Sequence, residues 1–163
     1  MADSRYIVLR YYCMTASSQD LSLEEYRGLA EFRTQIRRFL HFSEQSARAN
    51  GIEPQQHQLL LAIKGLPEDR RATIGELAAR LCIQHHSAVE LVNRMVERGA
   101  VARIHPDTDR REVIVRLTRS GEAVLSRLSV AHHEELETVG PALAKSLRAV
   151  IRQTSTRKEN GVI

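Results

Sequence analysis

Residues 105–113 read HPDTDRREV, and they gather Asp107, Asp109, Arg110, Arg111 and Glu112 into one short stretch. The flanks, Ala100–Ile104 and Val113–Leu117, are rich in β-branched residues with polar ones interleaved, which predicts a strand on each side and a charged turn between them. Arginines on such a finger present planar cations suited to phosphate oxygens, and a carboxylate beside them, here Asp109, can hold one in place and so reduce the rotamer entropy lost on contact.

A second group is His85-His86-Ser87, followed at helical spacing by Glu90 and Arg94. Successive helical residues project about 100° apart, so neighbouring histidines cannot share one ion as an i,i+4 pair does, and no metal site is assigned to them or to His132-His133. Imidazoles at a helix start are more simply hydrogen-bonding groups. Ser87-x-x-Glu90 is also a capping-box pattern, so a backbone cap and a base or phosphate contact both stay open for these two residues. A carboxylate near phosphates weakens binding, and Glu90 makes sense there if it accepts from a cytosine amino group or orients Arg94. Cys82 reads as a small buried hydrophobe between Leu81 and Ile83, and Cys13 lies in an arm expected to be flexible. Two cysteines make no disulfide framework.

Several elements must position these groups. The arm, residues 1–20, shows no sustained helical period. Ser22-x-x-Glu25 is a capping box, after which Leu29, Phe32, Ile36, Phe39 and Leu40 recur at helical spacing until Asn50-Gly51. A helix of that length exceeds what a small domain needs for itself and implies a partner chain. Pro54 opens a second helix running through Leu66, with Leu59, Leu60 and Ile63 inward. Thr73-x-x-Glu76 repeats the capping box and starts a two-turn helix with Leu77, Ala78 and Leu81 inward. After a tight turn at Cys82–His85, Val89, Val92 and Met95/Val96 mark a further helix, closed by Gly99 as its C′ residue. The hairpin comes next. Thr118 caps a helix that Gly140-Pro141 is expected to break, and a last helix carries Leu143, Leu147, Val150 and Ile151.

The chain has 163 residues, 42% hydrophobic and 27% charged, the size and balance of one globular domain, mainly α with a small β wing. No apolar run approaches the roughly 18 residues of a membrane span and no signal-peptide pattern stands at the N-terminus, so no membrane partner and a cytoplasmic location are expected. A net charge of +4 favours an acidic partner such as nucleic acid. Neither G-x-S-x-G nor H-E-x-x-H occurs, nothing points to a cofactor, and an enzyme is not the expected class. The rival is a winged module used for protein contacts, against which stands the excess of basic over acidic residues between Lys64 and Arg119.

Short helix, tight turn, second helix and hairpin is the order of a winged helix-turn-helix. Residues 73–125 resemble the DNA-binding core of the MarR family of bacterial regulators, with the wing form Asp-x-Arg matched by Asp109-Arg110-Arg111 and the Leu-Thr-x-x-Gly form by Leu117-Thr118 and Gly121. The resemblance implies a winged helix-turn-helix flanked by long dimerisation helices. Residues 1–20 would be a flexible arm, 21–53 the N-terminal dimerisation helix, 54–118 the DNA-binding module, 119–155 the C-terminal dimerisation helices and 156–163 a frayed tail. It further implies a homodimer on a pseudopalindrome of double-stranded DNA, acting as a repressor, with release by a small aromatic acid or phenol. His85, His86, Ser87, Glu90 and Arg94 would face the major groove, Arg111 the minor groove and Arg110 a phosphate, with Asp109 orienting the wing arginine. A basic or small polar residue is common in relatives where Glu90 stands. Peroxide-sensing relatives carry a cysteine near the start of the first long helix, and Cys13 precedes that helix by several residues. Tyr26, Arg33, His41 and His57 are polar groups suited to an effector crevice, and none is assigned as a site.

Overall fold

A computed structural model describes residues 21–105 and 112–159. In chain order these form α1 (Leu23–Ala49), α2 (Pro54–Lys64), α3 (Ile74–Leu81), α4 (His85–Glu97), β1 (Val101–Ile104), β2 (Ile114–Leu117) and α5 (Arg119–Glu159). The class is mainly α with a small β wing. The expected N-terminal arm with Cys13, and the wing tip with Asp109, Arg110 and Arg111, lie outside the described residues. Two compact units divide the chain, one spanning Ile36–Pro141 and the other made of residues 1–35 and 142–163.

In the larger unit, local hydrogen bonds set the element ends. α1 stops where Gly51 takes a φ of 74°, the left-handed conformation that a residue without Cβ adopts cheaply. Pro54 opens α2 behind Glu53, which forms a reciprocal capping box with Gln56, and the helix ends at Lys64, two residues short of the expected Leu66. Thr73 caps α3 by accepting from the Glu76 N–H at 3.2 Å. The reciprocal half of that box is absent, because the Glu76 carboxylate turns to Arg80 at 3.0 Å and Arg70 at 3.5 Å.

The core of this unit holds Leu59 and Leu60 of α2, Leu77 of α3, Leu91, Val92 and Met95 of α4, Val101 and Val115 of the hairpin, and Leu125 and Leu128 of α5. The buried face of α4 is turned from the expected one: Ala88, Leu91, Val92 and Met95 point inward, while Val96 is exposed. Strands β1 and β2 pair antiparallel, from Val101 opposite Leu117 to Ile104 opposite Ile114. The Val115 N–H also bonds the Ala72 carbonyl at 2.9 Å, anchoring the hairpin to the connector before α3.

In the smaller unit, Ser22 and Glu25 form the expected capping box, with the Ser22 N–H bonding Glu25 Oε2 at 2.8 Å and the Glu25 N–H bonding Ser22 Oγ at 3.2 Å. The Gln153 amide of α5 donates to the Glu24 carbonyl at 3.3 Å and lies over Gly28.

One expectation fails over the whole C-terminal third. α5 is a single helix from Arg119 to Glu159 with Pro141 inside it, so Gly140-Pro141 does not end one helix and begin another, and the helix reaches into the segment read as a frayed tail. Pro141 lacks an N–H and forfeits one intrahelical bond. The helix continues because strong helix formers follow at once in Ala142, Leu143, Ala144 and Lys145.

Candidate nucleic-acid interface

α4 begins at His85. Its N-cap is Gln84, in extended conformation with no side-chain cap bond, and the first helical bond runs from the Ala88 N–H to the Gln84 carbonyl at 3.1 Å. Ser87 is therefore the third residue of the helix and not its cap, which overturns the capping-box reading of Ser87-x-x-Glu90. The N–H groups of His85, His86 and Ser87 have no intrahelical acceptor, and with the helix dipole they favour an anion at this end.

Because Ala88, Leu91, Val92 and Met95 are inward, a period of about 3.6 residues puts His86, Glu90, Asn93 and Glu97 on the opposite line. His85, His86 and Glu90 are exposed and Ser87 is partly so. Arg94 is exposed on the flank and lines an open recess with Glu44, Arg48, Glu53, Gln55 and Gln56. Glu90 and Arg94 form no ion pair among the described residues, so Glu90 does not orient Arg94 here. Sequence reasoning passed over Asn93, although its place three residues after Glu90 and seven after His86 was a usable signal. Its Oδ1 accepts from Arg103 Nη2 of β1 at 2.6 Å.

Turn geometry aims α4. The turn between α3 and α4 passes through Cys82 at φ 53°, the one described residue other than glycine in the left-handed region. Cys82 is exposed, which corrects its reading as a buried hydrophobe. Its backbone N–H closes α3 on the Ala78 and Ala79 carbonyls, and that conformation turns the side chain outward.

At the other end, Arg98 caps α4, Gly99 follows at φ 67°, and the Ala100 N–H reaches back to the Met95 carbonyl at 3.0 Å. The Thr118 hydroxyl donates to the Gly99 carbonyl at 2.6 Å and accepts from the Gly121 N–H at 3.2 Å, so one side chain both caps α5 and ties it to the exit of α4. A Cβ on Gly121 would overlap the Ala100 carbonyl oxygen. The spacing Leu117-Thr118-x-x-Gly121 thus has a physical basis in the base of the wing. Toward its tip, Glu112 is held by Arg71 at 2.6 Å.

A second polar cluster lies inside the same unit. His132 of α5 bonds the Leu128 carbonyl through Nδ1 at 2.6 Å and Ser43 Oγ of α1 through Nε2 at 2.8 Å, and stands edge-on to Phe39 and Phe42. The His57 ring of α2 tilts against it with centroids 4.7 Å apart. Burial, and then the neighbouring His132 charge, lowers the His57 pKa to about 4, and its Nδ1 has no hydrogen-bond partner. Tyr26, Arg33 and His41 are exposed. No helix is long and apolar enough to cross a membrane among the described residues.

Residues 50–112 match the model of the MarR family. A protein of Thauera aromatica named "Putative transcriptional regulatory protein for hcr operon" is 28% identical over 99 residues, covering 61% of this chain and 58% of that protein's length. The fold resembles that of AbsC, a MarR family transcriptional regulator from Streptomyces coelicolor, with a TM-score of 0.67 at 17% identity over 88% of this chain and 97% of that one. It also resembles a mutant of S. aureus MepR bound to an oligodeoxyribonucleotide, with a TM-score of 0.58 at 17% identity over 88% of this chain and 100% of that one. The residues 50–112 matched by the family model carry the capped turn and outward polar line of α4 and run into the wing, so this segment is similar to the MarR family, and the fold of the chain is that of the winged helix-turn-helix structures it resembles.

Proposed function

We propose that the protein is a homodimeric repressor that reads a pseudopalindromic operator, with α4 in the major groove and Asp109-Arg110-Arg111 of the wing at the minor groove. The observation that carries this reading is the outward line of α4, where His86, Glu90 and the half-buried Asn93 present hydrogen-bonding groups along a helix whose other face is packed. His85, Ser87 and Arg94 flank that line, suited to phosphates and base edges. Dimerisation is supported by the apolar side chains left exposed on the long helices, Leu23, Tyr26 and Leu40 on α1 and Val130, Leu147 and Ile151 on α5. Release by a small aromatic acid or phenol is supported by the unpartnered Nδ1 of His57, beside a histidine that packs on Phe39 and Phe42.

Fluorescence anisotropy on DNA from upstream of the protein's own gene tests this, together with light scattering of the free protein. The expected result is a dimer that binds a specific site, more weakly as salt rises, and lets go on addition of an aromatic acid. A monomer, or equal affinity for every duplex offered, overturns the reading.

A further inference from the structure

Asn93 stands on the outward line of α4 and its amide is oriented. Arg103 lies on β1 opposite Val115, exposed, and its guanidinium donates to Asn93 Oδ1 at 2.6 Å. A guanidinium has donors only, so the oxygen of the amide must face it; the flipped amide would set two sets of N–H groups against each other. The Nδ2 amino group is then the end presented away from Arg103. Asparagine unconstrained in a major groove reads adenine with both ends, accepting from N6 and donating to N7. Engaging Oδ1 with a charged donor weakens the accepting half of that pattern and leaves the donating half intact. Guanine offers acceptors alone on that edge, at N7 and O6.

We propose that Asn93 is a specificity-determining residue that selects guanine over adenine at one base pair of each half-site, and that Arg103 is the positioning residue that sets this choice. The proposal rests on the reading of α4 as the groove-facing helix. It also joins two elements that sequence treats separately, since the strand leading into the wing decides what the reading helix donates.

The test is a selection of the full-length protein on a randomised duplex library, followed by anisotropy on the selected operator with each base pair varied. Wild type should prefer guanine to adenine about tenfold at one position per half-site. Asn93→Ala should level that position and leave the others. Asn93→Asp keeps an acceptor for Arg103 but replaces the outward donor, so the preference there should move to cytosine, whose amino group donates. Arg103→Ala should bring adenine to within about twofold of guanine while leaving the salt slope unchanged, whereas a phosphate contact would reduce that slope by about 1 and weaken all sequences alike. Thermal melts followed by circular dichroism establish that each variant is folded, and Arg103→Ala, at an exposed site, carries the test alone if the Asn93 variants do not fold. An operator profile that all three substitutions leave unchanged overturns this proposal and spares DNA binding itself. Failure of wild type to select any sequence overturns the proposed function and this assignment with it.

Discussion

The two compact units use their apolar residues in opposite ways. In the Ile36–Pro141 unit, Leu59, Leu60, Leu77, Val92, Met95, Val115 and Leu128 are all 0% exposed. In the unit built from the two chain ends, the buried side chains are Gln35 and Ser146, and no hydrophobic side chain among its described residues is buried. Its apolar groups face outward instead, Leu23 at 65% and Ile151 at 54% exposed. Both units are built from regular helix, that of the smaller one starting from the Ser22–Glu25 box, so local helix formation is not what separates them. One unit holds its own core and the other leaves apolar side chains exposed, which is what the proposed dimer would cover.

The sharpest way to break that comparison is to substitute apolar residues in each of the two units. Leu128→Ala removes a fully buried side chain and should lower stability by about 2–5 kcal/mol in urea titrations at fixed protein concentration. Leu147→Asp with Ile151→Asp should instead convert the protein to monomer by light scattering, with the helix-turn-helix unit still folded by circular dichroism. Equal loss of structure in both would show that the chain ends carry a core of their own.

Acid should act on the larger unit through His57. Its folded pKa of about 4 lies below the usual 6.5, so the unfolded chain binds the proton more readily. The stability that follows from keeping His57 neutral is fully present above pH 6.5 and is lost as pH falls toward 4, by roughly 2–3 kcal/mol. Urea midpoints should fall over that window, and His57→Gln should flatten the decline. A decline of the same steepness in His57→Gln would place the acid sensitivity elsewhere.

A smaller effect is expected at the junction of wing and helix. Thr118→Ala removes an N-cap and the hydrogen bond to Gly99, and should cost about 1–2 kcal/mol of unfolding free energy. Thr118→Ser, which keeps the hydroxyl, should recover most of it. Smallest for the fold, within about 0.5 kcal/mol, is Arg111→Ala at the wing tip, which should nevertheless weaken operator binding and reduce the log-log salt slope by about 1. An unchanged slope would remove Arg111 from the interface.

Much of the architecture is legible along the chain because element ends are local events. Ser22, Pro54, Thr73, Gly99 and Thr118 each mark a boundary through bonds to residues within four positions or through a backbone angle that glycine or proline favours. Hairpin strands were readable for the same reason, from alternation and β-branching. The role of Ser87 stayed open in the sequence because a capping-box pattern and a base or phosphate contact both fit it, and only the path of the backbone out of α3, which starts α4 at His85, decides that it is no cap. Cys82 was misread because its burial depends on a left-handed φ that its apolar neighbours do not announce.

What the sequence determined alone was therefore the order of elements, the caps that start and stop most of them, and the short segment that makes a wing. These follow from hydrogen bonds and dihedral preferences spanning a few residues. Tertiary structure decided the rest. Pro141 lies within one continuous helix because the loss of a single backbone bond does not stop a helix that runs on both sides of it, from Arg119 to Glu159. His57 stays neutral because it is buried and faces His132 of α5, both of which disfavour its charged form. Asn93 presents its amino group because Arg103, ten residues on and in another element, takes its oxygen. The states of His57 and Asn93 depend on which side chain arrives from elsewhere in the fold, a property that no local pattern of residues encodes.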